Sequence, residues 1–136
     1  MVDITVTPAN VTWVSGKADF KGKGGAAITP GQLVYKDPAD SEHKLADGDA
    51  VATLTEPALA LSNGENARDM ILAPKGSRVN FGATLAAGTI YVASLTPGGI
   101  CPWADLATGD FVLIVCIGEG TAIGTLILEQ SAVAHA

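Results

Sequence analysis

The sequence predicts an all-β protein, a small β-sandwich or β-barrel with an extended N-terminal arm and a possible internal pseudo-repeat. Apolar segments of strand length recur from Ile28 onward at a spacing of about 8 to 12 residues, which is typical of such folds. Glycine, proline, asparagine and aspartate separate these segments. Helix-like stretches are short, because Gly88 and Gly109 follow the two candidates at 83–87 and 103–107.

The chain is predicted to consist of an arm followed by one domain. Its 136 residues suffice for a single hydrophobic core. Residues 1–27 form the predicted arm, in which two short alternating pieces are separated by a turn at Pro8 and followed by a glycine-rich connector at 21–25. Residues 28–136 form the predicted β domain.

The β domain is expected to contain ten short strands joined by tight turns. Thr96-Pro-Gly-Gly99 carries the residues of a type II turn, since glycine tolerates the positive φ that the second central position needs. Asp47-Gly48 and Asn63-Gly64 mark two further turns. The strands are expected near residues 32–36, 43–46, 50–54, 57–62, 69–73, 77–81, 89–94, 98–102, 110–117 and 122–129.

Two similar strings suggest that the domain contains an internal repeat. Gly31-Gln-Leu-Val-Tyr35 returns in altered form as Gly88-Thr-Ile-Tyr-Val92, and the segments that follow each string also correspond. Short strings of glycine and apolar residues are common in β proteins, so chance is the competing explanation. A shared order of strands in the two halves would decide between them.

Composition excludes several classes of function. Charged residues make up 16% of the chain, below the usual value of about 25%, and the mean hydropathy is +0.33. A surface so poor in charge is expected to lie against a partner. The net charge of −6 and the absence of any lysine or arginine after Arg78 argue against nucleic acid. No apolar run is long enough to cross a membrane, and the first residues lack the features of a signal peptide.

Residues that could carry chemistry are few and scattered, so we expect no enzyme, metal or cofactor. His43 lies in a charged stretch typical of an exposed loop, and His135 is penultimate. Cys101 and Cys116 fall in apolar strands and lack the pairing of a zinc site, which predicts buried free thiols. The acidic residues of 37–49 lack the spacing of a calcium-binding loop.

The two tryptophans each allow two interpretations. Trp13 and Trp103 could pack in the core, or they could anchor contacts with other proteins, where tryptophan is enriched. For Trp13 the interface interpretation is favoured, because an arm has little core of its own.

Five motifs together resemble head decoration, or cement, proteins of tailed bacteriophages. They are Ile28-Thr-Pro-Gly-Gln-Leu-Val-Tyr-Lys-Asp37, Lys44-Leu-Ala-Asp47, Gly82-Ala-Thr-Leu-Ala-Ala-Gly-Thr-Ile-Tyr-Val92, Thr96-Pro-Gly-Gly-Ile100 with Pro102, and Ala104-Asp-Leu-Ala-Thr-Gly109. The resemblance covers about residues 28–130 and rests on turns and strands rather than on reactive residues. It matches least well in the arm.

The resemblance implies a structural virion protein, made in the host cytoplasm, that binds the outer surface of the expanded capsid and stabilises it. Its implied partners are the major capsid protein and further copies of itself, often as a homotrimer. In that setting we expect the arm, through Ile4, Val6, Val11 and Trp13, to add a strand to the capsid protein. Pro97, Pro102 and Trp103 are expected to face a sister subunit.

Two other classes of function are open at this level. A carbohydrate- or receptor-binding β module of a phage fibre or surface-layer protein would share the fold, although more aromatic residues are expected for sugar stacking. A small β-barrel hydrolase or isomerase would need a convergent polar pocket, and the sequence offers no residues for one.

Overall fold

The structure is a computed structural model that describes residues 3–16, 21–48, 51–66, 68–106, 109–120 and 122–134. The strands are β1 Val11–Ser15, β2 Lys21–Gly24, β3 Leu33–Lys36, β4 Glu42–Leu45, β5 Ala58–Ala60, β6 Asp69–Ala73, β7 Arg78–Phe81, β8 Ile90–Ala93, β9 Ile100–Pro102, β10 Phe111–Gly118 and β11 Ile123–Ala134. Short 3-10 helices occupy Pro8–Asn10, Val51–Leu54 and Trp103–Asp105. The predicted all-β class is confirmed. Over the described ranges, no helix has the length and apolar character needed to cross a membrane.

The strands form a closed barrel and an open sheet. The barrel has the order β2-β4-β3-β5-β6, and the sheet has the order β1-β7-β11-β10-β8-β9. The sequence left sandwich and barrel as alternatives, and the structure contains a barrel whose outer side packs on a sheet. One predicted strand is absent: of residues 50–54, 51–54 form a 3-10 helix, while residue 50 lies outside the described ranges.

The internal repeat is present in the structure. Strands β2 to β6 and strands β7 to β11 have the same connectivity. In the first set β3 pairs with β4 and β5, β5 pairs with β6, and β6 pairs with β2. In the second set β8 pairs with β9 and β10, β10 pairs with β11, and β11 pairs with β7. All these pairings are antiparallel. Five strands with the same partners in the same order point to duplication of one unit rather than chance.

Register and turns agree with this assignment. Val34 lies opposite Leu45 in the first repeat, and Tyr91 lies opposite Pro102, the equivalent pair, in the second. The turn before each second strand is also the same. Gln32 N donates to Thr29 O at 3.2 Å, and Thr89 N donates to Ala86 O at 3.2 Å. The two similar strings of the sequence are therefore equivalent positions of two copies.

The repeats differ in how each one closes. In the first repeat, β2 and β4 pair in parallel through Lys23 with Glu42 and Gly24 with His43, which completes the barrel. In the second repeat, β7 and β9 do not pair with each other over their described residues, and a gap separates them. Residues 3–15 occupy this gap.

The segment predicted as an extended arm is thus built into the body. Ile4 N donates to Ile100 O of β9 at 2.8 Å, and β1 pairs with β7 through Val11 opposite Phe81. Residues 21–24 form β2 of the barrel. This differs from the arm expected for residues 1–27, and the reason is physical: in the second repeat β7 and β9 each have an edge that no other strand of the repeat pairs with, and the segment covers these edges and the apolar surface beside them.

Both repeats contribute to one large hydrophobic core. Leu33 and Leu59, neighbours across β3 and β5, lie in this core, whereas the next pair, Val34 and Ala58, lies in a second cluster. Strands β3 and β5 therefore bury residues on both of their faces. The large core contains Val11, Leu33, Ala46, Leu54, Leu59, Ala73, Val79, Phe81, Leu85, Tyr91, Ala93, Ile100, Leu113, Val115, Cys116, Leu126 and Leu128.

His43 is buried in the barrel, so its predicted place in an exposed loop is wrong. The residue lies in β4 and is 4% exposed. Its Nδ1 is 3.2 Å from the carbonyl oxygen of Lys23, a distance that suits an Nδ1–H donating across the junction of β2 and β4. Successive side chains of a strand point to opposite faces, so His43 points into the barrel although its neighbours Glu42 and Lys44 are charged. His135 lies outside the described residues.

The equivalent glycines Gly31 and Gly88 allow a matched test of the repeat. Both have positive φ, +90° and +76°. A Cβ at Gly31 would lie 2.5 Å from Val6 Cγ1, whereas nothing lies within 4 Å of one at Gly88. We expect Gly88→Ala to lower the free energy of unfolding by about 1–2 kcal/mol, the cost of a left-handed alanine. Gly31→Ala should lower it further, because Val6 is displaced.

Urea unfolding measures both losses, and adding Val6→Ala to each variant is the control. The added substitution should narrow the difference between the two glycine variants. Equal losses for Gly31→Ala and Gly88→Ala would contradict the contact between residues 3–15 and the first repeat.

His43 predicts a dependence of stability on pH. Burial lowers the pKa of His43, because the charged imidazolium loses solvation, despite the opposing effect of the Lys23 carbonyl. Its contribution is therefore complete above its unfolded pKa of about 6.5 and is lost as the pH falls toward the lower folded pKa. The free energy of unfolding should decrease between about pH 7.5 and about pH 5.5, a range where few carboxyls titrate. His43→Gln should show a smaller decrease, and an identical decrease in both proteins would refute the assignment.

Candidate interaction surface

Burial and spacing limit what the cysteines and the metal-ligating residue types can do in the described part of the chain. Cys101 and Cys116 are buried free thiols, as predicted, and burial raises the pKa of each to about 12. Over the ranges that the structure covers, no three histidine, cysteine, aspartate or glutamate residues are grouped to hold a metal ion.

The acidic cluster of the sequence holds a lysine of the same chain. Lys44 Nζ lies 2.8 Å from Asp37 Oδ2 and 3.0 Å from Asp40 Oδ2. The pKa of Asp37 is lowered mainly by its hydrogen bond from Lys44 and next by the hydrogen bond from the Ala39 N–H. The pKa of Asp40 is lowered mainly by the hydrogen bond from the Glu42 N–H and next by the hydrogen bond from Lys44. These carboxylates are used in fixing the β3–β4 hairpin.

A second ion pair joins β7 to the β10–β11 turn. Arg78 Nε and Nη2 each donate to one carboxylate oxygen of Glu119 at 3.0 Å, and Thr125 Oγ1 donates to Glu119 Oε2 at 2.9 Å. Glu119 in turn raises the pKa of Arg78. Arg78 is the last lysine or arginine of the chain, and its charge is paired with Glu119 in the turn between β10 and β11.

The four residues predicted for capsid binding lie along one segment but differ in burial. Ile4 and Val6 are half-buried and pack against the large core, and Val11 is 8% exposed within it. Trp13 is 42% exposed at β1, opposite Val79 of β7. The first three residues therefore hold the segment to its own body, and Trp13 is the member that a partner could contact.

Strand β1 forms an edge of the six-stranded sheet. It pairs with β7 on one side, and no described strand lies on its other side. Its sequence, Val11-Thr-Trp-Val-Ser15, contains neither charge nor proline, and Val14 is 38% exposed beside Trp13. The register shifts between Trp13 and Ser15, so the end of the strand bends. This edge presents main-chain donors and acceptors together with apolar side chains.

The three residues predicted for a subunit interface lie in β9 or next to it in the sequence. Pro97 is exposed in the turn before the strand and lines a cleft of about 190 Å³ together with Asp3, Ile4 and Val6. Pro102 ends β9 half-buried, and Trp103 follows it with 41% exposure. The structure therefore brings Pro97 next to the N-terminal segment and places Trp103 at the far end of a three-residue strand.

Several exposed apolar residues were not identified from the sequence. Ile90 and Ile117 lie directly opposite each other on β8 and β10, 39% and 40% exposed. Ile71 on β6 and Leu95 after β8 are also exposed. Alternation along a strand separates its two faces, but it does not say which face another element covers, so the pattern could not locate these residues.

Comparison of the chain with protein-family models, with curated proteins and with solved structures finds no match in any of the three.

Proposed function

We propose that this protein decorates the outer surface of a phage capsid and stabilises the shell. The observation that carries the proposal is the uncharged free edge of β1, with Trp13 and Val14 exposed beside it. The resemblance of residues 28–130 to decoration proteins gives this edge a partner, the major capsid protein. The proposed location is the outside of the virion, and the proposed activity is binding rather than catalysis.

Edge strands explain why this observation favours a binding function. A strand with unpaired main-chain groups invites pairing with other chains, and proteins usually protect such edges with charges, prolines or very short strands. The other edge of the sheet follows that rule, because β9 has three residues, ends at Pro102 and is bonded at Ile100 by Ile4. The edge at β1 has five residues and no charge, which suits an edge kept for a partner strand.

Charge and symmetry support the same function. The last 58 residues, 79–136, carry four acidic residues and no lysine or arginine, so this part of the chain has little charge to be desolvated in a contact. A decoration protein needs only a modest contact in each copy, because a symmetric shell repeats that contact many times.

We further propose that the protein acts as a homotrimer in which Pro97, Pro102 and Trp103 face a sister subunit. Trp103 is the strongest candidate anchor, since it combines a large aromatic ring with 41% exposure. Pro97 lies beside the N-terminal segment, so an interface there would adjoin the contact with the shell.

Capsid binding can be tested with two matched lysine substitutions. Trp13 and Ile71 are both 42% exposed, but Trp13 lies on β1 and Ile71 on the barrel strand β6. Trp13→Lys should weaken binding at least about tenfold, or about 1.4 kcal/mol, because it places a charge at the contact. Ile71→Lys should bind as wild type does.

The measurement is co-sedimentation with expanded, undecorated capsids of the same phage, together with the melting temperature of those capsids. Wild-type protein should sediment with capsids and raise their melting temperature. If the wild-type protein neither sediments with capsids nor raises their melting temperature, the proposed function is refuted. If Trp13→Lys binds capsids as tightly as the wild type, only the proposal that β1 is the binding edge is refuted. A positive response on a glycan array would favour the carbohydrate-binding alternative.

The proposed trimer can be tested through Trp103. Trp103→Lys should shift sedimentation equilibrium from trimer to monomer, because a buried, unpaired charge would oppose association. Ile71→Lys, which lies outside the proposed interface, should leave the trimer intact. A wild-type protein that is monomeric at every concentration would contradict the trimer.

A further inference from the structure

The second repeat is incomplete without residues from outside it. In the first repeat β2 and β4 pair with each other and close the barrel. In the second repeat the equivalent strands, β7 and β9, are bridged by residues 3–15, which we name the closing segment. Its Ile4 N donates to Ile100 O of β9, and its Thr7 N donates to Gly82 O after β7, both at 2.8 Å.

The closing segment places apolar side chains in the groove between β7 and β9. Val11 is 8% exposed and lies in the large core, and Val6 reaches the first repeat at Gly31, where a Cβ would come within 2.5 Å of Val6 Cγ1. Gly82 is equally close: a Cβ there would run into the carbonyl oxygen of Thr7. The groove therefore holds the closing segment by main-chain bonds and by apolar side chains at defined positions.

The closing segment can leave the groove without disturbing any strand pairing within the repeats. Its only strand, β1, pairs with β7 at the outside of the sheet, and residues 16–20 connect it to β2. Five residues span at most about 17 Å, which limits how far the segment can move from Lys21. A groove on a neighbouring molecule within this distance offers the same contacts as the groove on its own.

We propose that the groove between β7 and β9 is a strand-acceptor site, and that in the assembled protein its occupant is the closing segment of a second copy. Exchange of an identical element conserves every contact, so it links neighbours at low cost. In dilute solution the tethered segment of the same chain competes at a millimolar effective concentration and occupies the groove. Copies held side by side present grooves to each other at comparable concentration, and exchange then connects them.

The inference rests on the proposed function for its setting, since an array on a shell would hold copies together, but exchange itself is measurable on the free protein. Thr12 of β1 lies opposite Asn80 of β7, and Thr12 is exposed while Asn80 is half-buried. Antiparallel partners have Cα atoms at distances that a disulfide can bridge. Cys101 and Cys116 are buried and do not compete for oxidant.

The experiment mixes two full-length chains, Thr12→Cys and Asn80→Cys, each with a different tag, at a concentration where the protein associates. When the closing segment of one chain lies in the groove of the other, positions 12 and 80 of the two chains are strand partners, so a disulfide between them forms readily. After mild oxidation we expect a covalent heterodimer on a non-reducing gel, and its loss on dilution before oxidation. The control mixture, Thr12→Cys with Ile71→Cys, should give no heterodimer.

A third protein, the double variant Thr12→Cys and Asn80→Cys, calibrates the geometry. In dilute solution this variant should form the disulfide within one chain. If its cysteines stay reduced, the pairing of β1 with β7 is wrong and the inference is refuted. If it closes but the mixture gives no heterodimer, exchange is refuted. If the chain locked in this way decorates capsids as wild type does, and capsid-bound mixtures yield no heterodimer, the inference fails and the proposed function stands.

Discussion

The packing of the first repeat against the second is the interaction on which the rest of the structure depends. Leu33 and Leu59 on the outside of the barrel are buried in one core cluster with side chains of the six-stranded sheet, such as Leu113. Main-chain bonds reinforce the contact. Gly98 O accepts from Leu33 N at 3.0 Å, and Gly98 N donates to Ala46 O at 2.7 Å. The positive φ of Gly98, +77°, lets the Thr96–Gly99 turn approach the first repeat this closely.

Asymmetry between two equivalent units follows from this packing. The first repeat forms a closed barrel, whereas the strands of the second form an open sheet in which β7 and β9 are not neighbours. Residues 3–15 fill the resulting gap and bury Val11 in the shared core. Over the described residues, the strands of the first repeat form a closed barrel, whereas the sheet of the second repeat ends at β1 on one side and at β9 on the other. The surface that we propose for binding is a consequence of how a duplicated unit is fitted onto its copy.

Sequence reasoning succeeded where local chemistry decides conformation. Glycine at Gly31 and Gly88, and the Pro-Gly pair at Pro97 and Gly98, set the turns, and alternation found most of the strands. It failed for His43, whose charged neighbours suggested an exposed loop, because the closing of the barrel turns its side of β4 inward. It also gave residues 1–27 as an arm, since no local pattern reveals that a distant repeat has an unpaired edge.

The sequence by itself determined the all-β class and the positions of the turns, and it suggested the repeat, because these depend on residue type and spacing. Only the tertiary structure decided that one repeat is closed and the other open. It also decided that Ile4, Val6 and Val11 are held by the body while Trp13 is exposed. Pairing between strands far apart in sequence is set by which edges and apolar faces are left over after packing, and that is a property of the whole fold.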